Sequence, residues 1–284
     1  MAADDLTLQD AADRLGVHYM TAYRYVRLGL LPATKVGGSW RVSPTDLDDF
    51  RTGASEVSAI GPGSGRPAPY ALRLEQRLLA GDARGSWGVV ESALAAGSEL
   101  DEVYLDILAP AMSSIGARWE KGEIDIALEH VATGIATRIV GRLGPRFSRR
   151  GRSRGTVVIG APTGERHALP IALVSDLVRL HGWEVSDLGA DTPAPSFAHA
   201  ASITDDLVAV GVSVTSPDCL VAAAEAIAAV RAAVPGVAIL AGGFAIAGPD
   251  HASALGADHW AADARSMVTI LESVAAGPTL AADA

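Results

Sequence analysis

The sequence predicts a multidomain protein: a small α-helical helix-turn-helix segment, a four-helix bundle, and an α/β domain built on a doubly wound parallel sheet. Three observations predict it. Two short helical patterns meet at Gly16-Val17, helical periodicity runs over residues 70–145, and strands alternate with helices after Gly155. Two composition breaks separate the pieces. Residues 53–69 are rich in Gly, Ser and Pro and read as a flexible linker, and Arg146 to Gly155 holds five arginines and few apolar residues. The expected domains are 1–52, 70–150 and 151–284, with 53–69 as linker.

In the first domain, Thr7 caps a helix to Leu15 whose stripe is Leu8, Ala11, Ala12 and Leu15. A second helix runs from Tyr19 to Leu28, and Gly29-Leu-Leu-Pro32 ends it. Lys35 to Val42 reads as a hairpin turning at Gly37-Gly38, with basic residues on both arms. Arg24 and Arg27 stand three apart on one face of the second helix, beside Thr21 and Tyr25. They can reach phosphates or guanine edges.

In the bundle, Leu74, Leu78, Val89, Val90 and Leu94 fit one helix pair. Val103, Leu105, Leu108, Ile115, Ile126, Val131 and Ile135 fit another, with breaks at Gly81, Gly97 and Gly122. In the α/β domain the expected strands are Thr156–Gly160, Trp183–Leu188, Leu207–Val214 and Val237–Ala241. The expected helices are Leu169–His181, Ser196–Ile203, Pro217–Ala233 and Ala262–Ala275. Ligands of such sheets bind beyond the carboxyl ends of the strands, where His167, Ser213 and Gly242-Gly243 fall.

Composition narrows the function. Hydrophobic residues are 49% and charged residues 20%, as in a globular chain and not a disordered one. There is no run of 18 apolar residues and no basic leader, so a cytoplasmic protein without membrane contact is expected. Cys219 is the single cysteine, which excludes an intrachain disulfide and a thiolate zinc site. A net charge of −10 argues against indiscriminate nucleic-acid binding but leaves room for a local basic surface. His181, His199, His251 and His259 lack metal-ligand spacing, and Gly160-x-x-x-Gly164 lacks the Lys-Ser/Thr of a phosphate loop.

The run Gly160-Ala-Pro-Thr-Gly-Glu165-Arg-His167 ends a strand and opens a helix. Glu165 is placed to accept one imidazole N–H of His167 and leave the other nitrogen for a metal. Ser213-Val-Thr215 offers hydroxyls at a second strand end, and Gly242-Gly243 offers space at a third. Within the bundle, Trp119 is followed after nine residues by Glu129-His130.

Residues 6–51 resemble the excisionase and MerR-like winged helix-turn-helix families. In that likeness Thr21, Arg24, Tyr25 and Arg27 face the major groove of double-stranded operator DNA, and Lys35 and Arg41 serve the wing. Residues 155–275 resemble the Rossmann-like cobalamin-binding fold, in which His167 is the lower cobalt ligand and Ser213, Thr215, Gly242 and Gly243 line the slot for the nucleotide tail. One difference is Pro170, where the family usually has glycine.

The Trp119/Glu129/His130 spacing and the domain order resemble the CarH-type adenosylcobalamin photoreceptor regulators. That resemblance implies that the three residues contact the adenosyl group, and that a dark-state homotetramer represses transcription and leaves DNA on illumination. These proteins commonly carry histidine directly after the tryptophan; this sequence has Glu120, a poor cobalt ligand. The resemblance points to a regulator and not an enzyme. A light-independent cobalamin or tetrapyrrole sensor and a corrinoid carrier for methyl transfer are the alternatives.

Overall fold

The computed structural model describes residues 6–15, 22, 26, 31–36, 39–52, 70–149 and 151–276. The chain divides into two compact units, Met1–Ile139 and Val140–Ala284. Among the described residues, no helix is long and apolar enough to cross a membrane.

The first unit begins with β1 (Leu6–Thr7) and α1 (Leu8–Leu15), followed by β2 (Thr34–Val36), β3 (Ser39–Val42) and α2 (Pro44–Thr52). The sheet order is β1-β3-β2, antiparallel, pairing Leu6 with Val42 and Lys35 with Trp40. The expected hairpin is therefore present, with β1 added as a third strand and α2 following it. Both helices start on the same device. Thr7 Oγ1 accepts the Asp10 N–H at 3.1 Å while Asp10 accepts the Thr7 N–H at 3.1 Å. Ser43 Oγ accepts the Asp46 N–H at 3.0 Å and donates to Asp46 Oδ2 at 2.8 Å. Such a cap is worth about 1 kcal/mol. Ala22 and Val26, four apart and both helical, are buried with Leu8, Ala11, Ala12, Leu31, Val42 and Leu47. Ala80 joins this core from the bundle side, and the Arg77 guanidinium lies 5.6 Å from the Phe50 ring.

The bundle follows as α3 (Tyr70–Leu79), α4 (Ala83–Ala95), α5 (Leu100–Glu102), a π-helical segment (Val103–Leu108), α6 (Ala109–Glu120) and α7 (Ile126–Leu143). The breaks fall at the predicted glycines. At Gly122, with φ of 71°, the Glu123 N–H reaches Arg118 O at 2.9 Å and the Gly122 N–H reaches Trp119 O at 2.8 Å. This is the left-handed helix end that glycine makes without strain. Leu74, Leu78, Val89, Val90, Val103, Leu108, Ile115 and Ile135 are buried as expected. Ile126 and Val131 are not: they are 44% and 41% exposed. Both stand in the first turns of α7 with their side chains partly open to solvent.

The second unit holds β4 (Thr156–Gly160), α8 (Ala168–Leu180), β5 (Glu184–Asp187), α9 (Ala194–Ile203), β6 (Leu207–Ser213), α10 (Leu220–Ala233), β7 (Ala238–Gly242), α11 (Pro249–Ala254), β8 (His259–Ala261) and α12 (Ala264–Ala276). All strands are parallel in the order β5-β4-β6-β7-β8. Successive residues point to opposite faces, so Val158, Val210, Val212 and Ile239 pack on Phe197 and Ile227. Val157, Ile159, Ala209 and Leu240 pack on Ile171, Val178 and Met267. Burial on both faces is why these strands read as unbroken apolar runs. The short elements β8 and α11 add to the four strands and four helices expected. Chain direction across the sheet reverses between β4 and β6, and their carboxyl ends open the crevice in which such folds bind ligands.

Candidate cofactor-binding site

The loop after β4 is fastened to the loop after β5. Gly164 N–H donates to Asp191 Oδ1 at 2.7 Å, Asp191 N–H donates to Glu165 O at 2.8 Å, and Thr192 N–H donates to Ala161 O at 2.9 Å. Asp191 holds a φ of 54°, a left-handed conformation that aspartate tolerates better than most residues. This frame turns the Glu165 side chain inward, where it is 1% exposed.

The Glu165 carboxylate then spans the reversal point. Its Oε2 accepts the N–H groups of Thr215 and Ser216, both at 2.7 Å, from the loop after β6. Its Oε1 accepts the His167 N–H at 3.1 Å and also meets Nδ1 of the His167 ring. Burial pushes the Glu165 pKa up, but the bonds from Ser216, His167 and Thr215 outweigh it and hold the carboxyl below its ordinary range. An ionised carboxylate only accepts, so Nδ1 is the donor toward it, and in the neutral form of the ring Nε2 carries the free lone pair. The His167 side chain is 55% exposed although its partner is buried. The ring is clamped at one edge and open at the other, which suits a neutral imidazole metal ligand with a carboxylate behind it. His167 also stands at the N-cap of α8.

Ser213 ends β6 and pairs in register with Gly242, the last residue of β7. The structure gives these glycines a reason beyond space for a ligand. A Cβ on Gly242 would lie 2.5 Å from Ala261 O, and one on Gly243, at φ of 105°, would lie 2.4 Å from Val214 O. The backbone itself demands glycine here. Next to them Phe244 is 89% exposed, and Val221, early in α10, is 73% exposed. Both lie toward the carboxyl edge of the sheet, the edge at which such folds bind ligands. Sequence reasoning passed over Phe244, Ser216 and Asp191. Phe244 follows the glycine pair directly, a signal that was available. Ser216 acts through its backbone N–H, and Asp191 through a loop contact that no spacing rule encodes.

Glu165, His167, Ser213, Thr215, Gly242 and Gly243 are thus brought together at one end of one sheet. Trp119, Glu129 and His130 belong to the first unit. The Lys121–Asp125 turn puts the end of α6 and the start of α7 side by side there, braced by Arg118 on Glu75 at 3.2 Å and on Glu123 at 3.3 Å. Asp125 Oδ1 caps α7 by accepting the Leu128 N–H at 2.9 Å. Glu129 accepts from Thr133 Oγ1 at 2.6 Å and pairs with His130 Nδ1 at 2.5 Å. Trp119 is 43% exposed.

Of the expected DNA contacts, Thr21, Arg24, Tyr25 and Arg27 lie outside the described residues. Lys35 stands in β2 opposite Trp40, and Arg41 in β3 opposite Thr34 and Thr7. Cys219 is a buried, packed thiol. Among the described residues, no group of three or more His, Cys, Asp and Glu side chains could hold a metal ion by itself.

Residues 71–143 and 155–269 each match a family described as B12 binding domain, and residues 6–55 match a helix-turn-helix domain. The chain therefore joins a helix-turn-helix domain to two B12-binding domains, a combination that suggests a B12-binding, DNA-binding regulator. Trimethylamine corrinoid protein 1 of Methanosarcina acetivorans is 31% identical over 121 residues, covering 40% of this chain and 54% of that protein. Dimethylamine corrinoid protein of Methanosarcina barkeri is 27% identical over 121 residues, covering 42% and 57%. The chain thus spans about half the length of the curated relatives it matches. Among solved structures, the Methanosarcina barkeri monomethylamine corrinoid protein superposes with a TM-score of 0.65 at 17% identity, over 73% of this chain and 100% of that one. That likeness is one of fold.

Proposed function

We propose that the chain is a light-responsive, adenosylcobalamin-binding transcriptional repressor that holds operator DNA as a dark-state homotetramer in the cytoplasm. The observation that carries the cofactor assignment is the clamped, half-open His167 ring backed by buried Glu165. His167 Nε2 would hold the cobalt of the corrin. Glu165 keeps the proton on Nδ1 and ties the ring to the loop after β6. Ser213, Thr215, Gly242 and Gly243 line the slot for the nucleotide tail, and Trp119, Glu129 and His130 contact the adenosyl group. Bound there, adenosylcobalamin supplies a cobalt–carbon bond that visible light breaks. The protein's part is to turn loss of the adenosyl group into a change of assembly, and so of DNA affinity. The DNA-binding assignment rests on the helix-turn-helix match at residues 6–55. The light response rests on the Trp119 to Glu129-His130 spacing.

The test is an absorption spectrum and a promoter gel shift of the adenosylcobalamin-loaded protein, in the dark and after green light. The bands should change and the retarded DNA should be released. Unchanged bands, with cobalamin-dependent retardation retained, would remove light and leave a chemical cobalamin sensor.

A second reading, a corrinoid carrier without a DNA role, is favoured by the names of the curated relatives. The N-terminal domain speaks against it. Absence of DNA retardation with every cobalamin form would sink the repressor and revive the carrier reading.

A further inference from the structure

The second unit carries a basic cleft on the side of the sheet opposite the cofactor site. Between Arg138 and Arg154 the chain has seven arginines, and no Asp or Glu occurs between Glu129 and Glu165. The segment alone contributes +7 in a chain of net charge −10. Its apolar residues Leu143 and Phe147 are buried while Arg142, Arg146, Arg149, Arg152 and Arg154 are exposed, so the charge is displayed outward.

Past Phe147 the segment runs into a cleft of about 700 Å³ at the amino ends of β4 and β5. Arg149, Arg152, Arg154, Arg179 and His181 line it, against one acid, Glu184. Two of these arginines are structural. Arg154 lies 4.5 Å from the Trp183 ring centroid and pairs with Glu272 at 3.2 Å, and Arg179 pairs with Asp176 at 3.0 Å. Arg149 and Arg152 have no ion pair among the described residues, and both are exposed. Two arginine walls thus leave two guanidinium groups for an outside anion. The basic surface also continues beyond the cleft through Arg142 and Arg146. An elongated display of this kind fits a linear polyanion better than a small one.

We propose that this cleft is a second DNA contact, which grips the phosphate backbone of duplex DNA without reading its sequence. It rests on the DNA-binding part of the function proposed above and is independent of light and of the operator. The contact adds a salt-sensitive, sequence-independent term to an otherwise acidic protein. Each phosphate that an arginine neutralises contributes about 0.9 to the slope of log affinity against log salt.

The experiment is a salt series of mixed-sequence duplex binding to the full chain loaded with adenosylcobalamin in the dark, followed by fluorescence anisotropy. Arg149→Ala/Arg152→Ala should lower the slope by about 1.8, two contacts at about 0.9 each. Arg149→Lys/Arg152→Lys should restore it, because lysine meets phosphate as a point charge. Unchanged cobalamin uptake, read by absorbance, shows that the variants are folded. A double-alanine slope equal to the wild type overturns the inference and leaves the repressor reading standing. Saturable binding of ATP that the double-alanine variant loses, with the DNA slope unmoved, overturns it in favour of a small-anion site. A wild-type chain that binds no duplex at any salt overturns both.

Discussion

Replacing Glu165 with glutamine keeps the shape of the side chain and removes its charge and half of its accepting capacity. In the wild type the carboxylate accepts three backbone N–H groups, from Thr215 and Ser216 at 2.7 Å and from His167 at 3.1 Å, and also meets the His167 ring. A glutamine has one accepting oxygen. Turned toward Thr215 and Ser216, it presents its NH₂ to the His167 donors; turned toward His167, it presents the NH₂ to Thr215 and Ser216. The second placement sets two donors against the NH₂. The first sets only the His167 N–H against it, because the ring can move its proton and accept, so the first is favoured in a residue that is 1% exposed. Hydrogen bonds to a charged group are worth about 1.5–3 kcal/mol each, so losing the one from the His167 N–H should make Glu165→Gln cost at least about 1.5–3 kcal/mol. Against the glutamine NH₂, His167 Nδ1 must accept, which moves the ring proton to Nε2 and blocks the metal position. Loss of such a partner lowers metal affinity about 10- to 100-fold.

Urea unfolding of the apoprotein and absorbance titration with adenosylcobalamin measure the two effects separately. A destabilised variant with wild-type cobalamin affinity would refute the tautomer argument. Unchanged stability would refute the hydrogen-bond network itself. The pH dependence has a definite sign. Glu165 is held below the ordinary glutamate pKa of 4.5, so its stabilisation is full above that value and is lost as pH falls through the folded pKa. Glu165→Gln should flatten the acid limb of apoprotein stability below about pH 4.5.

Other expectations follow from the same geometry. Gly243→Ala should destabilise the second unit by at least about 1–3 kcal/mol, because its Cβ meets Val214 O at 2.4 Å and its φ is 105°. Gly88→Ala, inside α4 with nothing within 4 Å of the new Cβ, should stabilise by about 0.5–1 kcal/mol in the same urea assay. Equal effects at the two positions would contradict the packing described at the end of β7. Phe244→Ala should leave apoprotein stability within about 0.5 kcal/mol, since the ring is 89% exposed, while weakening cobalamin uptake. Unchanged uptake in that variant would remove Phe244 from the binding rim.

The two-face-buried strands β4, β6 and β7 and their helices were legible because continuous apolar runs between glycine breaks leave few alternatives. So was the Glu165/His167 pair, because a carboxylate two residues before a histidine at a strand end is a specific arrangement of side chains. What escaped was of two kinds. Elements of two to nine residues, such as β1, β8, α11 and α2, are too short or too polar to show a period; α2 carries Asp46, Asp48 and Asp49 where an apolar stripe would normally announce a helix. Contacts made by backbone groups, such as Ser216 N–H on Glu165, carry no residue identity and appear only once the loops after β4 and β6 meet. Ile126 and Val131 mark a third limit. Both fall in a helix as expected, but helical periodicity does not tell which apolar residues turn to the core and which stay exposed.

The measurement that tests the central claim most directly is electron paramagnetic resonance of one-electron-reduced cobalamin bound to the protein, with histidine labelled by the heavy nitrogen isotope. If His167 Nε2 is the lower ligand, the labelled protein gives two-line nitrogen splitting where the unlabelled protein gives three, and His167→Ala loses the label-dependent pattern. A three-line pattern that ignores the label would mean that the cofactor keeps its own base, and would contradict the role given to His167.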